Sequence, residues 1–252
     1  RQMCIRDRSW YGFKKSMIAE SPILVVADSR IITDAPMRLT ASGVGDLLGK
    51  YTALADWKIT NILDGEYICD RICEMEYDAL DKLKESLDGL CNRDIKAYEE
   101  LMYGLLLSGL AMQMTGHSRP ASGAEHHMAH FWEMAVINEE IDAYHGEKVG
   151  VGLIQVSDIY HEAVKYLKEG NFKIKDHVDI ETDLIEKTFT NKELCESIKK
   201  TNDPNLLDLI DPKVLRKKTE EIIKIIEEIP KAEEIVAMLE KVHGVKSLED
   251  LG

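Results

Sequence analysis

Apolar residues along this chain recur mostly at intervals of three and four positions, which predicts a body built from amphipathic helices. The pattern is clearest between Gly43 and Leu63, where the apolar side chains would form one stripe that faces a core. Pro230 separates the last two helical segments, because proline cannot continue a helix interior. The predicted helices are Gly43–Leu63, Tyr67–Leu87, Asp94–Met114, Ser122–Asp142, Val149–Glu169, Lys192–Thr201, Asp211–Ile229 and Lys231–His243, with a short closing turn at Ser247–Leu251.

One segment before these helices has a different pattern. Pro22–Asp28 (PILVVAD) is a short run rich in β-branched residues and bounded by turn-forming pairs, which predicts a strand. Ile31 and Ile32 indicate a second short extended piece before Pro36. The expected fold class is therefore mainly α, with a strand attached to its front.

Composition narrows the possible partners. The chain has 252 residues, of which 46 are acidic and 32 basic, so its formal net charge is −14. That surface would repel a phosphate backbone, which argues against nucleic acid as a partner. No apolar run reaches the ~20 residues that span a bilayer. The five cysteines are scattered and complete no four-thiolate metal site, as in a reduced cytoplasmic protein.

The glycine-rich run Gly43–Gly49 (GVGDLLG) allows two interpretations. A dinucleotide-binding loop needs a strand directly before it and a βαβ unit around it, and the pattern shows neither. Alternatively, the glycines permit close backbone packing at a helix start. Asp46 would then lie in the first turn as a favourable charge on the helix dipole.

Histidines are concentrated between Ser122 and His145. His126 and His130 lie one turn apart on a helix face, and Ser122 with Glu125 has the form of a capping box at the start of that helix. His145 precedes a glycine that would end the helix. With Asp46, the histidines His126 and His145 would form a mixed oxygen and nitrogen set that suits zinc, nickel or ferrous iron and leaves a position open for substrate. The alternative is that these are ordinary core histidines.

Three blocks of sequence carry a family resemblance: GDLLGKYTALADW at 45–57, SRPASGAEHHMAHFWEM at 118–134 and HGEKVGVG at 145–152. They resemble the sn-glycerol-1-phosphate dehydrogenases, in the superfamily of iron-containing alcohol dehydrogenase, glycerol dehydrogenase and dehydroquinate synthase. The resemblance implies that Asp46, His126 and His145 bind the metal and that His130 reaches the substrate.

The resemblance also implies a fold and a domain order. In the family a Rossmann-like dinucleotide-binding domain precedes an all-helical metal-binding domain. We therefore expect residues 37–252 to form the helical metal and substrate domain, and residues 9–36 to be a remnant of the cofactor domain. Residues 1–8 (RQMCIRDR) resemble a translated sequencing adaptor, so we expect them not to belong to the fold. Most of the cofactor domain is then missing, so we expect no hydride transfer by this chain alone, and a homo-oligomer when full length.

The implied reaction interconverts dihydroxyacetone phosphate and sn-glycerol 1-phosphate with NAD or NADP. Lys50, one turn after Asp46, would attract the substrate phosphate, unless it is a salt-bridged surface lysine. Arg119, just before a helix start, is a second candidate phosphate contact. Two alternatives remain: a glycerol or other polyol dehydrogenase of the same superfamily, and a non-catalytic helical domain with a structural metal or none.

Overall fold

Helices account for most of the computed structural model, which describes residues 7–10, 13–16, 22–134, 141–170, 172, 173, 175, 177 and 179–252. Within these residues short 3₁₀ turns lie at Leu206–Leu209 and Glu249–Leu251. The α-helices are α1 (Ser29–Thr33), α2 (Met37–Leu48), α3 (Lys50–Asp64), α4 (Asp70–Cys91), α5 (Ile95–Thr115), α6 (Ala124–Trp132), α7 (His145–Glu169), α8 (Thr182–Thr188), α9 (Lys192–Thr201), α10 (Pro212–Glu227) and α11 (Ala232–Lys241). The predicted all-helical fold class is confirmed.

The predicted strand is wrong. Pro22–Asp28 forms neither helix nor strand, and its apolar side chains lie in solvent, with Ile23 fully exposed. Ile31 and Ile32 lie in α1 rather than in an extended segment. A run of β-branched residues makes a strand only when a neighbouring strand supplies hydrogen bonds. The strands that the structure does describe, β1 (Asp7–Trp10) and β2 (Phe13–Ser16), pair with each other in an antiparallel hairpin.

The core lies between helices from both halves of the chain. Helices α4 and α5 pack along each other after a short connection, and α7 packs on α2, α6, α10 and α11. Side chains of α2, α4, α5, α7, α10 and α11 meet in one apolar cluster, in which Leu47, Leu80, Leu153 and Ile235 are fully buried. The long helix α7 is therefore held on several sides, so its first turn is well placed to carry a functional residue.

Helix boundaries depart from the predictions at functionally important places. The predicted helix Gly43–Leu63 begins earlier and divides at Gly49 into α2 and α3. The predicted helix Ser122–Asp142 is represented by the shorter α6, while residues 135–140 lie outside the described residues. By contrast, α5 and α9 match their predicted limits to within one residue. The domain division at residue 37 stays a prediction, and residues 1–6 lie outside the described residues.

Among the described residues, no helix combines the length and the apolar character that crossing a bilayer requires.

Candidate metal centre

Two helices touch through their backbones beside the site. A Cβ on Gly45 of α2 would overlap the Gly146 carbonyl oxygen, and a Cβ on Gly146 would overlap the Ser42 carbonyl oxygen of α2. Only glycine allows this approach, because every other residue carries a Cβ. The contact brings Asp46, the neighbour of Gly45, close to His145, the neighbour of Gly146. The close-packing interpretation of the glycine run is therefore confirmed, and the dinucleotide-loop interpretation is excluded, because Gly45 lies inside a helix.

Asp46, His126 and His145 converge from three different helices. One ligand atom from each lies within 4.8 Å of the others. Asp46 Oδ1 is 3.4 Å from His126 Nε2 and 3.7 Å from His145 Nε2. Asp46 Oδ1 and His126 Nε2 are buried and make no hydrogen bond. Buried polar atoms without hydrogen-bond partners are rare. Two such atoms lie here close to each other and to His145 Nε2, an arrangement that suits a bound cation.

Carboxylates hold both histidine rings from behind. Glu125, which is fully buried, lies with Oε1 2.7 Å from His126 Nδ1. Glu133 Oε1 lies 2.9 Å from His145 Nδ1. A carboxylate at Nδ1 fixes the ring orientation and the tautomer that leaves Nε2 to bind a metal. Burial alone would lower the pKa of His126, but Asp46 and Glu125 raise it.

Lys50 lies beneath Asp46 and not at an opening. Its side chain is 0% exposed, and Nζ donates to Asp46 O at 2.7 Å and lies 3.4 Å from Asp46 Oδ2. Although burial alone would raise the pKa of the Asp46 carboxyl, the Lys50 ammonium holds it well below its usual range. The ammonium would have to leave Asp46 and become accessible to contact a substrate phosphate, so the predicted phosphate role of Lys50 stays a prediction. The alternative prediction was a salt-bridged surface lysine. Lys50 does form an ion pair, but the pair is buried and not at the surface.

Asp46 is also placed differently from the prediction. It lies in the last turn of α2 rather than in a first turn, so the helix dipole disfavours its charge. The compensation comes from Lys50 and from the histidines. Glu76 of α4 is a further buried carboxyl near this cluster; both of its oxygens lack hydrogen-bond partners, and burial raises its pKa to about 7.

His130 lies beside the three converging residues. Its ring centroid is 6.0 Å from that of His126 and 5.4 Å from that of His145, which confirms that His126 and His130 share a face of α6. His130 is partly exposed, so it has access to solvent from within the cluster. His130, Glu133 and His145 form a second group whose ligand atoms lie within 4.8 Å of one another. His127 is exposed and belongs to neither group of candidate ligands.

The start of α6 is held by carboxylates from the chain itself. Ala124 N donates to Asp56 Oδ2 at 2.8 Å, and Gly123 N donates to Glu125 Oε1 at 2.8 Å. The predicted capping box of Ser122 with Glu125 is therefore wrong: Gly123 is the N-cap, and Asp56 of α3 supplies a cap across the fold. Burial raises the pKa of Asp56 to about 6, and its other oxygen accepts the Tyr160 hydroxyl.

Arg119 is engaged on the other side of this loop. Its Nε donates to Glu66 Oε1 at 3.0 Å, and Nη2 lies 2.9 Å from Glu66 Oε2. The guanidinium would have to leave this two-point ion pair to bind a substrate phosphate, so its predicted role stays a prediction. The backbone amides of Gly123 and Ala124 at the start of α6 already bind Glu125 and Asp56.

Sequence patterns did not reveal the residues that support the ligands. Glu125 is adjacent to His126, but neighbouring helical positions point in different directions, so spacing gave no reason to join them. Glu133 lies twelve residues from His145, and Asp56 lies 68 residues from Ala124. Only a general signal was present: an unusual density of acidic and histidine residues around α6.

Comparison with known proteins supports the resemblance of the three blocks. No family model matches the chain. Curated relatives named glycerol-1-phosphate dehydrogenase [NAD(P)+] do match: the one from Bacillus licheniformis is 40% identical over 61% of this chain and 38% of its own length. The one from Geobacillus thermodenitrificans is 31% identical over 96% of this chain and 53% of its own length. The one from Pyrococcus furiosus is 34% identical over 63% of this chain and 45% of its own length.

The chain thus spans about half the length, or less, of the curated relatives that it matches. The match to the Geobacillus thermodenitrificans relative covers nearly the whole chain, so it includes the helices that carry Asp46, His126 and His145. The resemblance recognised in the sequence is confirmed: the chain is similar to glycerol-1-phosphate dehydrogenases over nearly its whole length.

Proposed function

We propose that this chain forms the metal-binding and substrate-binding part of an NAD(P)-dependent oxidoreductase that interconverts dihydroxyacetone phosphate and sn-glycerol 1-phosphate. The observation that carries the proposal is the buried convergence of Asp46 Oδ1, His126 Nε2 and His145 Nε2. The names of the curated relatives supply the reaction class. The helical body from residue 37 onward would be the part that performs this role.

The residues present fit a divalent metal. One carboxylate oxygen and two imidazole nitrogens form a donor set that zinc, nickel and ferrous iron all accept. Glu125 and Glu133 hold the rings so that Nε2 faces Asp46, as outer carboxylates do in metal sites generally. A purely structural histidine cluster would use these ring nitrogens in hydrogen bonds, whereas His126 Nε2 makes none.

The chemistry of the site then follows from the groups around it. A divalent ion bound there would polarise the ketone oxygen of the substrate and stabilise negative charge on it during reduction. His130, partly exposed and next to His145, would hold a proton near that oxygen or pass one between it and solvent. Asp46 would stay ionised throughout, because Lys50 compensates its charge from the buried side.

The nicotinamide cofactor is not proposed to bind at the glycine run. Residues 43–48 lie within α2, so their backbone amides are used in helix hydrogen bonds and cannot cradle a pyrophosphate. NAD or NADP enters the proposal through the names of the relatives alone.

Metal content tests the proposal directly. The purified chain is stripped of metal, reconstituted anaerobically with zinc, nickel or ferrous iron, and analysed for ions per chain. We expect close to one tightly bound ion in the unmodified chain and at least a ~100-fold lower affinity in His145→Ala, since one of three protein ligands is removed. Equal metal content in the two proteins would contradict the site.

His161→Ala is the matched control. His161 also lies on α7, but its Nε2 is 3.0 Å from the Ile229 carbonyl oxygen, outside the site. Its replacement should leave metal content unchanged.

Substrate class is tested with cobalt in the site. Visible absorption of the Co²⁺-loaded chain reports ligands that enter an open position. We expect sn-glycerol 1-phosphate to change the spectrum at lower concentration than glycerol does. Equal responses would favour a polyol dehydrogenase, and no response to either would favour a structural metal without an open position.

A further inference from the structure

Arg38 connects the helix that carries Asp46 to the helix that carries His145. It lies on α2, about two turns before Asp46. Its Nε donates to Glu147 Oε1 at 2.7 Å, and its Nη2 donates to Glu147 Oε2 at 2.9 Å. Glu147 lies in the first turn of α7, two residues after His145. Two parallel bonds between a guanidinium and a carboxylate fix orientation as well as distance.

The same guanidinium holds the segment that leads into α7. Arg38 Nη2 also donates to the Asp142 carbonyl oxygen, and the guanidinium carbon lies 4.8 Å from the centre of the Tyr144 ring. Glu147 Oε2 in turn accepts the Tyr144 backbone N–H at 2.7 Å, which caps the helix start. Residues on both sides of His145 are therefore tied to one side chain of α2.

This connection lies next to a contact that has no side chains of its own. Gly45 and Gly146 meet backbone to backbone, and such a contact lacks the interlocking side chains that resist sliding of one helix along another. Metal–ligand distances tolerate deviations of only about 0.2 Å. An interaction next to this contact that fixes direction as well as distance would hold the register of α7 on α2 closely enough for Asp46 and His145 to share an ion.

We propose that Arg38 is a positioning residue whose two-point bond to Glu147 sets the register between α2 and α7 and thereby the geometry of the metal site. The inference rests on the proposed metal centre. It goes beyond that centre in assigning a function to a residue that would touch neither metal nor substrate.

A merely structural role predicts a different result. The Glu147 side chain is only 2% exposed, so loss of Arg38 leaves a buried carboxylate short of a partner and lowers stability in any case. General destabilisation would not change the coordination geometry of an ion in the folded fraction. Positioning would, because α7 would settle in a slightly different register.

The experiment compares Arg38→Met and Arg38→Lys with the unmodified chain. Co²⁺ affinity and the visible spectrum of the Co²⁺ complex are measured at a temperature where every variant is folded, and thermal unfolding is followed without metal. We expect Arg38→Met to weaken Co²⁺ binding about tenfold, the lower end for outer-shell changes, and to alter the spectrum. Arg38→Lys keeps the charge but not the two-point geometry, so it should restore affinity only in part.

Two controls separate register from charge and from stability. Arg71→Met removes an exposed arginine whose partner is Glu74 on its own helix, and it should change neither affinity nor spectrum. Leu90→Ala removes a fully buried core side chain of α4, and it should lower the unfolding temperature without changing the spectrum.

Each outcome decides the proposal. Unchanged Co²⁺ affinity and spectrum in Arg38→Met would overturn the positioning role and leave the proposed metal centre intact. A similar loss of affinity in Leu90→Ala, at a similar loss of stability, would also overturn it. If the unmodified chain binds no metal, the metal centre and the positioning role are both wrong.

Discussion

The helices around the metal centre and the helices at the end of the chain are stabilised in opposite ways. In α2, α3, α6 and α7 the interior contains charged side chains, among them Asp46, Lys50 and Glu125. In α10 and α11 the interior is aliphatic, and the charged residues lie on the outside, as predicted for this amphipathic pair. Buried charges cost free energy of desolvation that apolar side chains avoid. The buried charges of the first region therefore lower stability while forming the candidate site. The second region contributes to stability through burial of apolar side chains.

Two ion pairs show the contrast at the level of single contacts. Lys50 and Asp46 are 0% and 9% exposed, whereas Lys168 and Glu227, which join α7 to α10, are 56% and 45% exposed. Water screens the second pair and not the first, so the same type of contact has very different consequences when one partner is removed.

The largest effect is expected where the two ligand helices touch. Gly146→Ala would place a methyl group on the Ser42 carbonyl oxygen, a backbone atom that can move only with its helix. We expect the free energy of unfolding to fall by about 4 kcal/mol or more, and metal binding to be lost. Urea denaturation and Co²⁺ titration measure the two effects.

Gly150→Ala, one turn further along α7, is the matched control. Its new Cβ would meet Gly45 Cα at 3.4 Å, an ordinary contact, and alanine adds about 1 kcal/mol of helix propensity over glycine. Equal stability of the two variants would show that the backbone contact at Gly146 is not what holds α2 and α7 together.

The second prediction breaks the buried ion pair. Lys50→Met leaves the buried carboxylate of Asp46 without its ammonium partner, and we expect a loss of about 3–5 kcal/mol in the free energy of unfolding. Added metal should recover part of this loss, because the ion compensates the charge of Asp46. Calorimetry with and without metal, in phosphate-free buffer, makes the measurement.

Lys168→Met removes the cation of the exposed pair with Glu227 and is the matched control. It should lower the free energy of unfolding by less than about 1 kcal/mol. A phosphate-binding role for Lys50 predicts the reverse pattern: little change in stability, and weaker binding of sn-glycerol 1-phosphate to the Co²⁺-loaded chain. That result would support the prediction from the sequence.

The third prediction concerns pH and the carboxyl of Glu76. Because burial raises its pKa to about 7, the folded chain keeps a proton that the unfolded chain releases above about pH 4.5. The contribution of Glu76 to stability is therefore complete below pH 4.5 and decreases as the pH rises to 7, by roughly 3 kcal/mol in total.

Glu76→Gln cannot titrate, so the difference in unfolding free energy between it and the unmodified metal-free chain should change across this window. Denaturation at several pH values gives that difference. A constant difference from pH 4.5 to 7 would mean that Glu76 is ionised in the folded state and that Lys50 stabilises it more strongly than the burial of Glu76 opposes its charge.

Prediction from the sequence succeeded where periodicity alone decides structure. The limits of α5 and α9 follow from apolar spacing and from capping residues such as Asp94 and Asn191, both of which accept a backbone hydrogen bond as caps. It failed at Pro22–Asp28, since a strand depends on a partner that local sequence does not contain. It also failed at Ser122, where the cap is supplied by Asp56 from another helix.

The site shows the same division. Spacing could join His126 to His130, because one helix carries both. Residue chemistry made Asp46 and His145 candidate ligands, and the family resemblance implied the same set. Neither source indicated Glu125 or Glu133 as a support for a ligand ring, and neither indicated Arg38. The chemistry of an ammonium one turn from Asp46 suggested a phosphate contact for Lys50, a side chain that the fold buries.

The sequence by itself determined that the chain is helical, which residues could bind a metal, and which family it resembles, because these depend on residue type and local spacing. The tertiary structure decided which side chains support the ligands and which are buried. Those properties depend on how far apart helices lie, and here that distance is set where Gly45 meets Gly146 and where Arg38 meets Glu147, residues about a hundred positions apart in the chain.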